Sequence, residues 1–186
     1  MVFKGVLKLS MINYLKKLRC KLIIKKSKCN ITLGENSTFG RGTVLYCPNN
    51  MKIGKNVYVG KYCSLETDIE IKDNVLIGNN VGLIGRYDHD YSKVGLSIKD
   101  SPWIGDKDYT FKGKDLKVII NEDVWIGYGT VILSGITIGR GSIIAAGSVV
   151  TKDIPEYSIC AGNPCKVVKK RFLENEIIEH EKILYK

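Results

Sequence analysis

A six-residue period runs through this chain and leaves few folds open to it. An aliphatic residue opens each unit, often followed by glycine, as in Ile53-Gly54, Val59-Gly60, Ile77-Gly78, Ile126-Gly127 and Ile138-Gly139. Leu33, Phe39 and Leu45 form one set; Ile53, Val59 and Leu65 follow after a short insertion at Pro48-Asn49-Asn50, and then Ile71, Ile77 and Leu83. Beyond an irregular stretch come Ile120, Ile126 and Ile132, then Ile138, Ile144 and Val150. Neither a helical period nor simple strand alternation explains this spacing. Three units make one coil of a triangular parallel β-helix, with the aliphatic residues pointing inward. One coil cannot bury its apolar face alone, so coils must stack. Gly34-Glu35-Asn36, Gly54-Lys55-Asn56, Lys72-Asp73-Asn74 and Asn121-Glu122-Asp123 fall at corners, where Gly, Asn and Asp tolerate positive φ. A β-sandwich fits less well, because the spacing is uniform and hairpin turn pairs are scarce. The expected fold is an all-β solenoid with a protruding loop and terminal helices.

A chain of 186 residues suffices for one domain with a real core. Three parts are expected: a basic helical segment over 1–30, the β-helix over 31–166 with a loop insertion at about 84–117, and a C-terminal helix over 167–186. The formal net charge of +10 is unevenly placed. Met1 to Asn30 carries Lys4, Lys8, Lys16, Lys17, Arg19, Lys21, Lys25, Lys26 and Lys28 with no acid, while Leu7, Met11, Tyr14, Leu15 and Leu18 recur at near-helical spacing. Such a helix could cap the open end of the solenoid or contact an anionic membrane surface. Nucleic-acid binding lacks any recognition motif. No hydrophobic run approaches membrane-spanning length, and no leader with a small-residue cleavage site is evident, so the expected location is the cytoplasm, with peripheral contact at the inner membrane face as an extension. Cys20, Cys29, Cys47, Cys63, Cys160 and Cys165 show no metal-ligand spacing, and no metal site is expected. Cys47 and Cys63 read as small buried side chains.

Between Leu83 and Val118 the repeat stops. The excursion contains Tyr87, His89, Tyr91, Trp103, Tyr109 and Phe111, a composition that argues for an ordered, functional loop. His89 lies between Asp88 and Asp90. A flanking carboxylate can orient an imidazole if it reaches Nδ1, but adjacent side chains often point apart, so a surface histidine without a role remains the alternative. His180, beside Glu179 and Glu181, reads as a solvated helix residue.

These residues carry a resemblance. From about Ile31 to Val168, and most strongly over VWIGYGTVILSGITIGRGSIIAAGSVVTKDIPEYSICAGNPCKVV (Val124 to Val168), the chain resembles the hexapeptide-repeat acyltransferases with left-handed β-helices. The likeness is to maltose, galactoside and serine acetyltransferases, and especially to surface-polysaccharide O-acetyltransferases. It implies a homotrimer with active sites between subunits, acetyl-CoA as acyl donor, and His89 as general base in direct transfer without an acyl-enzyme. In the family pattern Trp125, Gly127 and Tyr128 match the thioester end of the CoA groove. Ala145, Ala146 and Gly147 match the small residues beside pantetheine, Thr151 and Lys152 the nucleotide contacts, and Lys166 a phosphate-binding position commonly held by Arg. Thr151-Lys152 as a plain exposed corner stays open as an alternative; Lys169, Lys170 and Arg171 add local positive potential and read equally as a phosphate contact or as a solvated helix start.

The acceptor follows less directly from the resemblance. Glu66, Asp68 and Asn80 are candidate polar residues from the coil before the loop. Tyr87, Tyr91 and Trp103 could stack on a sugar, and Asp88 or Asp90 could bind its hydroxyls, although aromatics are equally expected as packing. The resemblance puts a hydroxyl of a sugar or surface-polysaccharide precursor first, whether free, nucleotide-linked or lipid-linked. N-acetylation of a nucleotide-linked amino sugar and a non-catalytic scaffold are the alternatives.

Overall fold

The computed structural model describes residues 2–27 and 29–185, with side-chain surroundings from Tyr14 onward. Lys28 and the side chains of Lys4, Leu7, Lys8 and Met11 lie outside the described residues.

The six-residue period becomes three parallel sheets that form the faces of a prism. On the first face Leu33, Ile53, Ile71, Ile120 and Ile138 stand in register. Phe39, Val59, Ile77, Ile126 and Ile144 stack on the second, and Cys160 extends that column. Leu45, Leu65, Leu83, Ile132 and Val150 form the third. Each aliphatic residue that opens a unit therefore meets its counterpart one coil above. Apart from half-buried Leu33, all of these residues are buried. At roughly 25 cal/mol per Å² of apolar surface, this stacked column is the main source of cohesion.

The corners follow from the turn residues. Asn36, Asn56, Asn74 and Asp123 all adopt positive φ, between 54° and 60°. The residue after these corners turns inward: Ser37, Val57, Val75 and Val124 in this series, with Thr130, Ser142 and Ser148 after the positive-φ glycines Gly129, Gly141 and Gly147. The buried hydroxyls are satisfied by turn carbonyls, with Ser37 Oγ donating to Gly54 O at 2.6 Å and Thr130 Oγ1 to Gly127 O at 3.0 Å. Glycine at the unit openings serves the same stacking. A Cβ on Gly127 would lie 2.5 Å from Ala146 N, so neighbouring coils would collide.

The two ends are closed differently. At the start, helix α1 (Val2–Ser27) lies across the first coil. Its buried Cys20 and partly buried Ile23 and Ile24 join the core, and Arg19 Nε donates to Phe39 O at 2.9 Å. At the far end the expected helix over 167–186 is corrected. Lys166–Lys170 is an exposed strand running antiparallel to Ser158–Ala161, and helix α2 (Glu174–Leu184) begins only afterwards. The carbonyls and N–H groups of the last coil need a partner, and an antiparallel return strand supplies one.

His180 is also corrected: it is partly buried rather than solvated. Its Nε2 lies 3.0 Å from Asp123 Oδ2, and its ring packs 5.0 Å from Phe172. Arg171, read equally from the sequence as a solvated helix start or a phosphate contact, is a clasp, donating to Asp123 Oδ2 at 2.7 Å and Gly141 O at 2.9 Å.

Candidate active site

The excursion leaves the third face after Ile84 and rejoins the first at Lys117. It is ordered by its own hydrogen bonds. Asp90 N donates to Pro102 O at 3.0 Å and Ile104 N to Asp88 O at 2.8 Å, so His89 and Trp103 pair as a short antiparallel bridge. Buried Tyr109 donates its hydroxyl to Tyr87 O and accepts from Gly113 N. Phe111 meets Tyr87, Tyr91 and Tyr109 edge-on. Arg86 fixes the root, its guanidinium donating to Thr151 O at 2.8 Å.

Neither the Asp88 nor the Asp90 carboxylate hydrogen-bonds the His89 ring. Its Nδ1 lies 3.4 Å from the carbonyl oxygen of Ser101. With Nδ1–H donating to that carbonyl, Nε2 carries the lone pair. Asp90 is buried and committed elsewhere: it accepts from Ser92 N at 3.0 Å and Ser92 Oγ at 2.5 Å, and its carboxyl is held below the usual range chiefly by that serine. In this loop it acts as a staple to Ser92. Tyr87 and Tyr91 likewise spend ring surface on Phe111 and on each other.

A different group gathers beside His89. Tyr46, Glu66 and Ile84 are successive members of one column on the third face. The Trp103 ring stacks on Tyr46 at 5.6 Å, with the planes 25° apart. Burial pushes the Asp88 carboxyl up; the nearby His89 opposes this and Glu66 adds to it. Burial also raises the Tyr46 phenol, with Asp88 among the contributing charges. Tyr46, Glu66, Asp88, His89 and Trp103 thus form one polar and aromatic cluster. Tyr46 escaped the sequence reading, although its place one residue after Leu45, in step with Glu66 after Leu65, was the available signal. Asp68 pins the inserted turn, accepting from Asn49 N at 2.9 Å and Asn50 N at 3.1 Å.

The residues matched to the donor groove lie elsewhere on the prism. Trp125 stands exposed on the second face, and Tyr128, Ala146 and Gly147 lie at the corner between the second and third faces. Asn80 belongs to this corner, its Nδ2 donating to Tyr128 Oη at 2.6 Å. Gly147 has φ of 69° and open space where a Cβ would stand, so this backbone is bare. Thr151 and exposed Lys152 follow the third face, while exposed Lys166 lies on the return strand. Gly127 is required by coil stacking, and half-buried Ala145 by its place above it.

Burial disfavours the thiolate at Cys47, Cys63, Cys160 and Cys165. All six cysteines are free, and burial pushes Cys47 up to about 12 and Cys160 up to about 11.

A family model described as bacterial transferase hexapeptide (six repeats) matches residues 50–85 and 117–152, the coils on either side of the His89 excursion. A maltose O-acetyltransferase structure from Clostridium difficile 630 is 30% identical, with a TM-score of 0.50, covering 78% of this chain and 68% of that one. The chain belongs to the hexapeptide-repeat acyltransferase family, whose β-helix is left-handed. Among its relatives, the galactoside O-acetyltransferase of Escherichia coli K12 is 36% identical over 141 residues, 75% of this chain and 63% of that protein. The fold is also shared with AntD, an N-acyltransferase from Bacillus cereus solved with dTDP-4-amino-4,6-dideoxyglucose and coenzyme A, at a TM-score of 0.64 and 24% identity over 84% of this chain and 81% of AntD. The matched part of the hexapeptide-repeat chain spans 59%, 63% and 66% of the length of three curated relatives. Among the described residues, no helix is long and apolar enough to cross a membrane.

Proposed function

We propose that this chain transfers an acyl group from an acyl-CoA thioester, with acetyl-CoA the first candidate, to a sugar-bearing acceptor, and that His89 is the general base. The observation that carries this reading is the His89 ring, tethered through Nδ1 to Ser101 O and set beside the Tyr46–Trp103 stack. Nε2 takes the proton from the acceptor as its oxygen or nitrogen attacks the thioester carbonyl. The tetrahedral adduct then collapses, breaking the carbon–sulfur bond, and the CoA sulfur leaves with the proton returned from Nε2. No acyl-enzyme is required. A neutral imidazole suits this task, since its reference pKa is about 6.5.

The bare corner at Ala146–Gly147, with Trp125 and Tyr128 beside it, fits the narrow pantetheine arm, because no side chain there blocks an approach to the backbone. Lys152 and Lys166 are exposed cations suited to phosphate. This corner and the His89 loop belong to different edges of the prism. A homotrimer that sets the loop of one copy against the corner of the next completes the site.

Two acceptors compete. The relatives named for galactoside and maltose favour a hydroxyl. The AntD likenesses, solved with a nucleotide-linked amino sugar or its nucleotide, lend more support to the amine, and we place that acceptor first. Tyr46 and Trp103 offer an aromatic surface in either case, and Glu66 and Asp88 offer acceptors for hydroxyl or ammonium protons. The deciding experiment follows acceptor-dependent release of free CoA thiol over paired panels: nucleotide-linked amino sugars, their hydroxyl counterparts, and free glycosides. Release with the amine alone supports N-acylation, and release with the hydroxyl partner reverses the order. Silence across all panels, with no acyl-CoA binding at millimolar concentration, would turn the reading to a scaffold.

A further inference from the structure

Over its described side chains, from Tyr14 on, helix α1 has two apolar faces, and the first coil covers one of them. Cys20, Ile23 and Ile24 pack on the core. Tyr14, Leu15, Leu18 and Leu22 remain 67%, 54%, 42% and 52% exposed. At about 3.6 residues per turn these four form a single stripe whose centre lies roughly opposite the docked face. Exposed Lys17 and Lys21 border it on one side and Lys26 on the other, with Lys25 towards its C-terminal end. No acidic residue occurs from Met1 to Asn30.

We propose that this outward face of α1 docks on a bilayer surface carrying anionic headgroups, its apolar stripe entering the interface and its lysines meeting lipid phosphates. Two features single out that occupant. Large apolar side chains flanked by lysine suit an interface that is hydrocarbon beneath and negatively charged at the surface. A second copy of the chain would bring two acid-free, lysine-bordered faces together, and the like charges would repel. A nucleic acid would match the lysines but leave the apolar stripe unused. The helix lies on the surface rather than spanning, since no described helix is apolar enough to cross. This proposal does not depend on acyl transfer, but it would carry the enzyme to acceptors displayed at a membrane.

The test is co-sedimentation of the full chain with vesicles of phosphatidylcholine containing roughly one-third phosphatidylglycerol, against phosphatidylcholine alone. Partition onto the anionic vesicles should exceed that onto neutral ones by about tenfold or more. The combined change Leu15→Ser, Leu18→Ser and Leu22→Ser should reduce it about tenfold while thermal unfolding stays unchanged, because these residues lie outside the core. Lys21→Glu with Lys25→Glu and Lys26→Glu should reduce anionic binding to the neutral level. Equal partition onto both vesicles, no pelleting, or undiminished binding by the serine variant would overturn the proposal. So would a molecular mass that falls to that of a smaller oligomer in the serine variant without vesicle binding, which would assign the face to another copy of the chain.

Discussion

His180 Nε2 lies 3.0 Å from Asp123 Oδ2, joining the last helix to a corner of the fourth coil. The same oxygen accepts from Arg171 at 2.7 Å, and the corner itself needs φ of 57° at Asp123. One residue thus turns the chain and ties down the C-terminal segment. Asparagine tolerates the same φ but lacks the charge. Asp123→Asn should therefore keep the corner and weaken the clasp by about 1–2 kcal/mol, lowering the melting temperature by roughly 2–8 °C. Calorimetry on the purified variant measures this, and an unchanged melting temperature would mean that the clasp contributes nothing.

Glu70 gives a pH signature. Hydrogen bonds from Lys72 at 2.6 Å and Lys117 at 2.9 Å hold its carboxyl at about 2 against an ordinary 4.5. A depressed folded-state value stabilises the fold above the unfolded value and ceases to do so as pH falls through the folded one. Both lysines are substantially exposed, so screening limits the gain to about 1 kcal/mol or less. Glu70→Gln should be slightly less stable than the parent in urea at neutral pH, and the gap should close between pH 4.5 and about pH 2.

Ile126 is fully buried between Ile77 and Ile144. Ile126→Ala removes the link between coils on both sides and should cost about 2–5 kcal/mol, more if the stacked coils cannot settle into the space. Urea titration followed by circular dichroism would show it.

Gly127 and Gly147 separate stacking from ligand approach. A Cβ on Gly127 meets backbone at 2.5 Å, whereas one on Gly147 meets nothing within 4 Å. Gly127→Ala should force the coils apart and lower stability. Gly147→Ala should add only the left-handed strain of about 1–2 kcal/mol, yet raise KM for the acyl donor. Equal donor KM in Gly147→Ala and parent would remove that corner from the donor groove.

The repeat was legible because each inward position is fixed by its six-residue step, and the register follows once coils stack. The corners were legible for the same reason, since Asn36, Asn56, Asn74 and Asp123 stand at one point of the unit. What escaped depended on contacts across sequence. Tyr46 joins the site only because Trp103 folds back onto it, and His180 meets a partner 57 residues away. Residues 167–170 read as the start of a helix because Phe172, Leu173, Glu176, Ile177, His180 and Ile183 give the stretch after them a helical face; only pairing with the edge of the last coil makes Lys166–Lys170 a strand. Asp90 stands beside His89 in sequence, and Ser92 two residues on captures its carboxylate.

The central claim is that His89 is the base of an acyl-CoA-dependent transferase, and kcat/KM of His89→Ala with the best acceptor tests it most directly. The account predicts a loss of about 10²–10⁴-fold, with donor binding and melting temperature preserved. Turnover within a few fold of the parent, in a variant that remains folded, would contradict it.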